Sequence, residues 1–155
     1  MYPPNTILDI APGEIFVHRN VANLVPENDS NSGAVLQYAV EVLKVERIIV
    51  CGHYHCGGVQ AALPGNGTGH ISRWLQDLKD LYRNHAHKID QRDSDEEREN
   101  LLAELNVREQ VKRIARSEIV RKSWESSDRP ILQGLIYDLR GAMLRKVVGH
   151  EPRRE

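Results

Sequence analysis

Charge of one sign is in short supply: 21 Lys and Arg stand against 22 Asp and Glu, a net charge of −1 with His neutral. Such a balance leaves no electrostatic footprint for a polyanion, so nucleic acid is not expected as a partner. Long apolar runs are missing too. Nothing approaches the roughly 18 residues that a membrane-spanning helix needs, so no membrane partner is expected. The opening Met1-Tyr-Pro-Pro-Asn5 has neither the charged start nor the apolar stretch of a secretory signal. Cysteine is limited to Cys51 and Cys56. A disulfide-stapled secreted domain would use more cysteines, more widely spaced. The expectation is a reducing, cytoplasmic compartment, where two thiols beside histidines point to metal rather than cystine. No internal repeat is present. The length suits one domain, here expected over residues 1–149, with a disordered tail over 150–155.

What is present reads as an α/β chain, a mostly parallel sheet flanked by helices. Glu14-Ile-Phe-Val-His18 alternates like a short strand. Asn31 or Ser32 can cap a helix to about Lys44, its apolar positions following the 3.6-residue period. Val45 to Cys51 reads as a buried strand because Ile48, Ile49 and Val50 are consecutive. Strand, helix, strand in that order predicts a βαβ unit. Gly52–Gly58 reads as a tight loop, and the segment from Gly57 to Leu63 as a short helix. Pro64–Gly69 reads as a flexible turn; no Gly-Lys-Ser/Thr follows it, so it is no phosphate loop. An amphipathic helix spans Ile71 to about Ile89. Ser94 and Glu97 form a capping box for the next helix, with a break near Asn106. Ile131–Asp138 and Ala142–Val148 are strand-like, and Arg140-Gly141 between them suggests a hairpin.

Chemistry concentrates in Cys51-Gly-His-Tyr-His-Cys-Gly-Gly58. Four soft donors fall within six residues at the end of a strand, where open α/β sheets place their sites. His53 and Cys56 are separated by two residues, a spacing that lets a loop turn both toward one ion. Zinc favours imidazole nitrogen with thiolate sulfur. An ordinary alternative stays open at this stage. A buried Cys is a common core residue, and a His at a strand end is often simply hydrogen-bonded. Cys51 continues the apolar run and is expected in the core; His55 is a loop residue of lesser promise as a ligand.

Several segments, in order along nearly the whole chain, resemble the β-class carbonic anhydrases of the bacterial and fungal branch. They are Gly13 to Val25, Val35 to Val40, Cys51 to Gly58, Glu104 to Val111 and Gly134 to Leu139. The resemblance implies reversible hydration of carbon dioxide to bicarbonate on a zinc ion. It makes His53 and Cys56 the His-x-x-Cys pair of ligands. Phe16 and Tyr38 match the apolar substrate lining at a dimer interface, and Gly57 and Gly58 match the loop whose amides lie near the substrate. Arg19 and Tyr137 match positions of an inhibitory bicarbonate site.

The same resemblance implies a deficit. The family's first Cys ligand, with an Asp-Arg pair, belongs to a Cys-x-Asp-Ser-Arg stretch before a Pro-Pro-Asn-like segment. Here Pro3-Pro4-Asn5 is present, but Met1 stands where the Arg would be, so the zinc site is expected to be incomplete. His55, Cys51, Asp9 or Asp29 are conceivable substitutes. The first central strand, which the family places between the strands corresponding to 14–18 and 46–51, is expected to be absent, together with its N-terminal arm. An impaired enzyme assembling as a homodimer or tetramer is one expectation. A non-enzymatic partner in a hetero-oligomer with a full-length paralogue is the other.

Overall fold

The last strand pair is built from the clearest alternation in the chain. In a computed structural model describing residues 3–64 and 68–150, β2 (Ile131–Asp138) turns through 139–142 into β3 (Met143–His150) as an antiparallel hairpin. β1 (Arg47–His53) pairs with β2 in parallel, Val50 opposite Gly134 and His53 opposite Tyr137. The sheet order is β1-β2-β3. Along the chain, α1 (Pro4–Leu8) is followed by a 3-10 turn at Val21–Asn23, then α2 (Ser30–Gln37), which runs into a π-helical turn at Tyr38–Val42. Between β1 and β2 come α3 (Gly57–Gln60), α4 (Gly69–Trp74), α5 (Gln76–Ile89), α6 (Asp95–Arg116) and α7 (Glu118–Ser126). The architecture is α/β, as expected.

One face of the sheet is covered by α6, which packs across all three strands. Val50 and Gly52 of β1, with Leu132, Gly134 and Ile136 of β2, are buried there. Two glycines set how closely α6 approaches. A Cβ on Gly52 would lie 2.7 Å from Val107 Cγ2, and one on Gly134 would lie 2.7 Å from Val107 Cγ1 and 2.6 Å from Val148 Cγ1. The valine therefore sits in the groove that both missing side chains leave. Leu102, Val107, Val111 and Ile114 of α6 continue this core toward Leu75, Leu78 and Ile89.

Several expectations change. Residues 14–18 form no strand: alternation describes a strand's faces, but a strand exists only with a hydrogen-bonded neighbour, and none pairs with it among the described residues. Phe16 and Val17 are exposed instead. The βαβ unit is consequently replaced by a parallel pair, β1 and β2, with α3 to α7 between them. Asp29, not Asn31 or Ser32, caps α2, its carboxylate accepting the amides of Asn31 and Ser32. β1 starts and ends two residues later than expected, so Gly52 and His53 belong to the strand. Cys51 is exposed, not core. It lies on the sheet face away from α6, because a run of apolar residues does not reveal which face each one takes.

The long helix breaks at Leu75, between α4 and α5. α6 does not break at Asn106 but continues to Arg116, where Ser117 caps α7 by accepting the Val120 amide. The Ser94 hydroxyl accepts the Glu97 amide at 3.2 Å, as the capping box requires. The return bond goes to the Asp93 amide instead of Ser94. His150, expected in the tail, lies in β3. Met1, the rest of the expected tail (151–155) and the Gly65–Gly67 portion of the glycine-rich turn lie outside the described residues.

Candidate metal centre

β1 ends at His53, and the chain then reverses through Tyr54 and His55, whose φ of 54° is left-handed, to Cys56. Cys56 occupies the position before the first turn of α3 and is 8% exposed. The reversal sets Cys56 beside His53, near enough for each to shift the other's ionisation. His53 Nδ1 lies 2.8 Å from the Tyr54 carbonyl oxygen. A carbonyl only accepts, so Nδ1 carries the proton and the ring's other nitrogen keeps its lone pair. Such an arrangement fixes tautomer and ring orientation in the way metal-ligating histidines require.

Without a metal, each group favours the other's charged form, and an ion would have to displace the proton on the ring's second nitrogen. The Cys56 contact holds the His53 pKa above its ordinary value, although burial opposes it and the Tyr54 carbonyl assists. Burial pushes the Cys56 thiol up, but His53 and the amides of Val59 and Gly58 outweigh it, and its pKa falls below that of an ordinary thiol. The Cys56 side chain makes no capping hydrogen bond to α3. Thiolate is the form that binds metal.

The two glycines of this turn differ. A Cβ on Gly57 would meet nothing within 4 Å, whereas one on Gly58 would come within 3.0 Å of Val21 Cγ1 and 3.1 Å of Ala22 Cβ. Outward from the pair, the Tyr54 hydroxyl donates to Glu104 Oε1 at 2.7 Å. His55 Nε2 lies 3.6 Å from Glu96 Oε1, which also accepts from Arg140 at 2.8 Å. His55 thus faces α6 and the hairpin turn.

Phe16 and Tyr38 are brought together, ring centroids 5.8 Å apart, and stand 47% and 48% exposed. Tyr137 is the register partner of His53 on β2, and its carbonyl accepts the Tyr54 amide at 3.2 Å. Arg19 is exposed at the end of the unpaired 14–18 segment. Tyr54 and its partner Glu104 were not anticipated as part of the site. Their signal is faint: a tyrosine between two histidines, and an acid on the next long helix 50 residues away.

The donors present fit zinc in type, as one imidazole nitrogen and one sulfur. Among the described residues, no group of three or more His, Cys, Asp or Glu side chains is placed to hold a metal ion. His55, Cys51, Asp9 and Asp29 are therefore not gathered with His53 and Cys56 into a metal cluster.

Comparison with known proteins adds a different kind of observation. The family model described as carbonic anhydrase matches residues 2–144. A carbonic anhydrase of Emericella nidulans is 44% identical over 143 residues, which make up 92% of this chain and 63% of that protein. One from Candida albicans is 36% identical over 138 residues, 88% of this chain and 49% of that protein. The chain thus spans less than two thirds of either relative. Among solved structures, tetrameric β-carbonic anhydrases of Sordaria macrospora superpose with a TM-score of 0.91 at 35% identity, covering 96% of this chain and 76% of that one. The β-carbonic anhydrase CafA of Aspergillus fumigatus gives 0.88 at 39% identity, covering 93% and 68%. No described helix is long and apolar enough to cross a membrane.

Proposed function

The chain belongs to the carbonic anhydrase family, in its β-class, and from that premise we propose that it serves zinc-dependent, reversible hydration of carbon dioxide, with His53 and Cys56 as two of the metal's ligands. The observation that carries this reading is the turn that sets Cys56 beside His53 at the end of a parallel strand, near enough for each to shift the other's ionisation. Zinc, when bound, supplies a water acidified enough to give hydroxide near neutrality. The protein's own residues do the rest. The Tyr54 carbonyl keeps His53 in the tautomer that leaves a nitrogen free. His53 and the first-turn amides of α3 hold Cys56 toward thiolate. Gly57 leaves the approach to the turn open. Phe16 and Tyr38 line the carbon dioxide pocket where two copies meet in a homodimer or tetramer, and Arg19 with Tyr137 takes bicarbonate at an inhibitory site. A reducing, cytoplasmic compartment suits a site that needs its thiolate free.

Two donors do not make a zinc site, which uses at least three protein ligands even when catalytic. The third ligand, and the Asp-Arg pair of the Cys-x-Asp-Ser-Arg stretch, are proposed to come from outside the described residues, so these 155 residues alone bind zinc weakly and catalyse poorly. A second reading is a non-enzymatic member that assembles with a full-length paralogue; it starts from the same two donors. Stopped-flow hydration assays separate the two, run on this chain and on one extended at its N-terminus by a Cys-x-Asp-Ser-Arg segment. The enzyme reading expects the extension to raise turnover by about 100-fold or more, since even outer-shell losses cost roughly 10–100-fold in a metal site. It also expects Cys56→Ser to remove that gain. An extended chain that binds no zinc and does not turn over supports the partner reading. Equal zinc affinity and equal turnover in short and extended chains contradict the missing-ligand account.

A further inference from the structure

Asn106 and Gln110 stand one turn apart on α6, on the face that also carries Leu102, Val107 and Val111, and are only 1% and 2% exposed. Buried carboxamides need partners, and these have them. Asn106 Nδ2 donates to the Ala22 carbonyl at 2.8 Å. Gln110 Nε2 donates to Asn106 Oδ1 at 2.9 Å. Gln110 Oε1 accepts the Val25 amide at 2.9 Å. The chain of bonds has a fixed polarity. Its two ends are a carbonyl that only accepts and an amide that only donates, so rotating either carboxamide by half a turn disrupts it.

What the relay grips is a backbone segment in a strained conformation. Ala22 has φ 64° and Asn23 φ 47°, left-handed values that side chains with a Cβ rarely adopt. Strained residues persist where the surroundings over-determine them. The segment is also closed on itself by Asn20, which exchanges two bonds with Leu24, and is tied from outside by Trp74 Nε1 donating to the Val21 carbonyl at 2.8 Å. Its inner side lies against Gly58. A Cβ there would be 3.1 Å from Ala22 Cβ and 3.2 Å from its backbone nitrogen. Gly58 in turn lies in the first turn of α3, two residues beyond Cys56.

We propose that Asn106 and Gln110 are positioning residues for the candidate metal centre: their relay presses Ala22 onto Gly58 and so fixes the Cys56–Val59 turn. This rests on reading Cys56 as a ligand, but its mechanical part is independent of metal. The test is amide hydrogen exchange by NMR on the metal-free chain, with zinc titration alongside. Asn106→Leu keeps the volume close while removing the donor to Ala22. Leu102→Ala, one turn away in the same core, is the control for general loss of stability. Asn106→Leu is expected to speed exchange at the Gly58 and Val59 amides about tenfold beyond any change in β2 and β3, and to weaken zinc binding by about tenfold, the lower end for an outer-shell loss. Leu102→Ala is expected to lower protection evenly. Gln110→Met, which breaks the other end of the relay, is expected to reproduce the Asn106→Leu pattern. The proposal is overturned if exchange at Gly58 and Val59 moves only as much as in β2 and β3. Selective exchange in a chain that takes up no zinc upholds the relay and removes the metal reading.

Discussion

The two faces of the sheet are built from neighbouring residues and behave differently. Toward α6, Val50, Gly52, Leu132, Gly134 and Ile136 are all buried. On the opposite face, Ile49, Cys51, His53, Ile131, Gln133, Leu135 and Tyr137 are half-buried or exposed, and none is buried. The first face is a core, and its residue choices follow from packing alone. The second carries the candidate ligand His53 and its register partner Tyr137. A half-buried imidazole held in one tautomer by a backbone carbonyl is what the proposed ligation would use.

If this contrast is real, truncating one face should hurt far more than truncating the other. Ile136→Ala, in the packed core, is expected to cost about 2–5 kcal/mol in denaturant unfolding. Leu135→Ala, its neighbour on the other face, should cost clearly less. Equal losses would mean that the second face is covered in solution, which a concentration-dependent midpoint would reveal as assembly.

Gly134→Ala sharpens the comparison from the opposite direction. Its Cβ would collide with Val107 and Val148, and overpacking of this kind costs about 1–3 kcal/mol. Gly57→Ala meets open space and should leave the melting temperature within a degree or two of the parent, as surface changes do (about ±0.5 kcal/mol). A Gly57→Ala loss as large as that of Gly134→Ala would show that the α3 turn is packed against something further.

A modest effect is expected at the N-terminus of α6. Ser94→Ala removes the hydroxyl that accepts the Glu97 amide and should lower stability by about 1 kcal/mol. A change as large as that of Ile136→Ala would make the N-terminus of α6, and not the sheet face, the organiser of this core.

Local signals in the sequence were legible where local physics decides. The alternation of Ile131–Asp138, the turn after it and the Ser94 cap all appear in the structure. Segment 14–18 was misleading because strand formation depends on a neighbour that no local pattern reveals. Cys51 was misplaced because three apolar residues in a row do not say which face the fourth takes. Half of the candidate site was legible from the spacing of His53 and Cys56. Asn106 and Gln110 were not singled out, although two carboxamides one turn apart amid Leu102, Val107 and Val111 are a readable sign of a buried polar relay. Polar residues on an apolar helical face call for a partner elsewhere in the chain, and here it is the loop that abuts Gly58.

The central claim is that His53 and Cys56, and not the exposed Cys51, share one ion. Zinc titration of this chain and of its His53→Ala, Cys56→Ser and Cys51→Ser variants tests it most directly. The account predicts weak binding that disappears in the first two variants and is unchanged in the third. Binding that survives both His53→Ala and Cys56→Ser, or that is lost with Cys51→Ser, would contradict it.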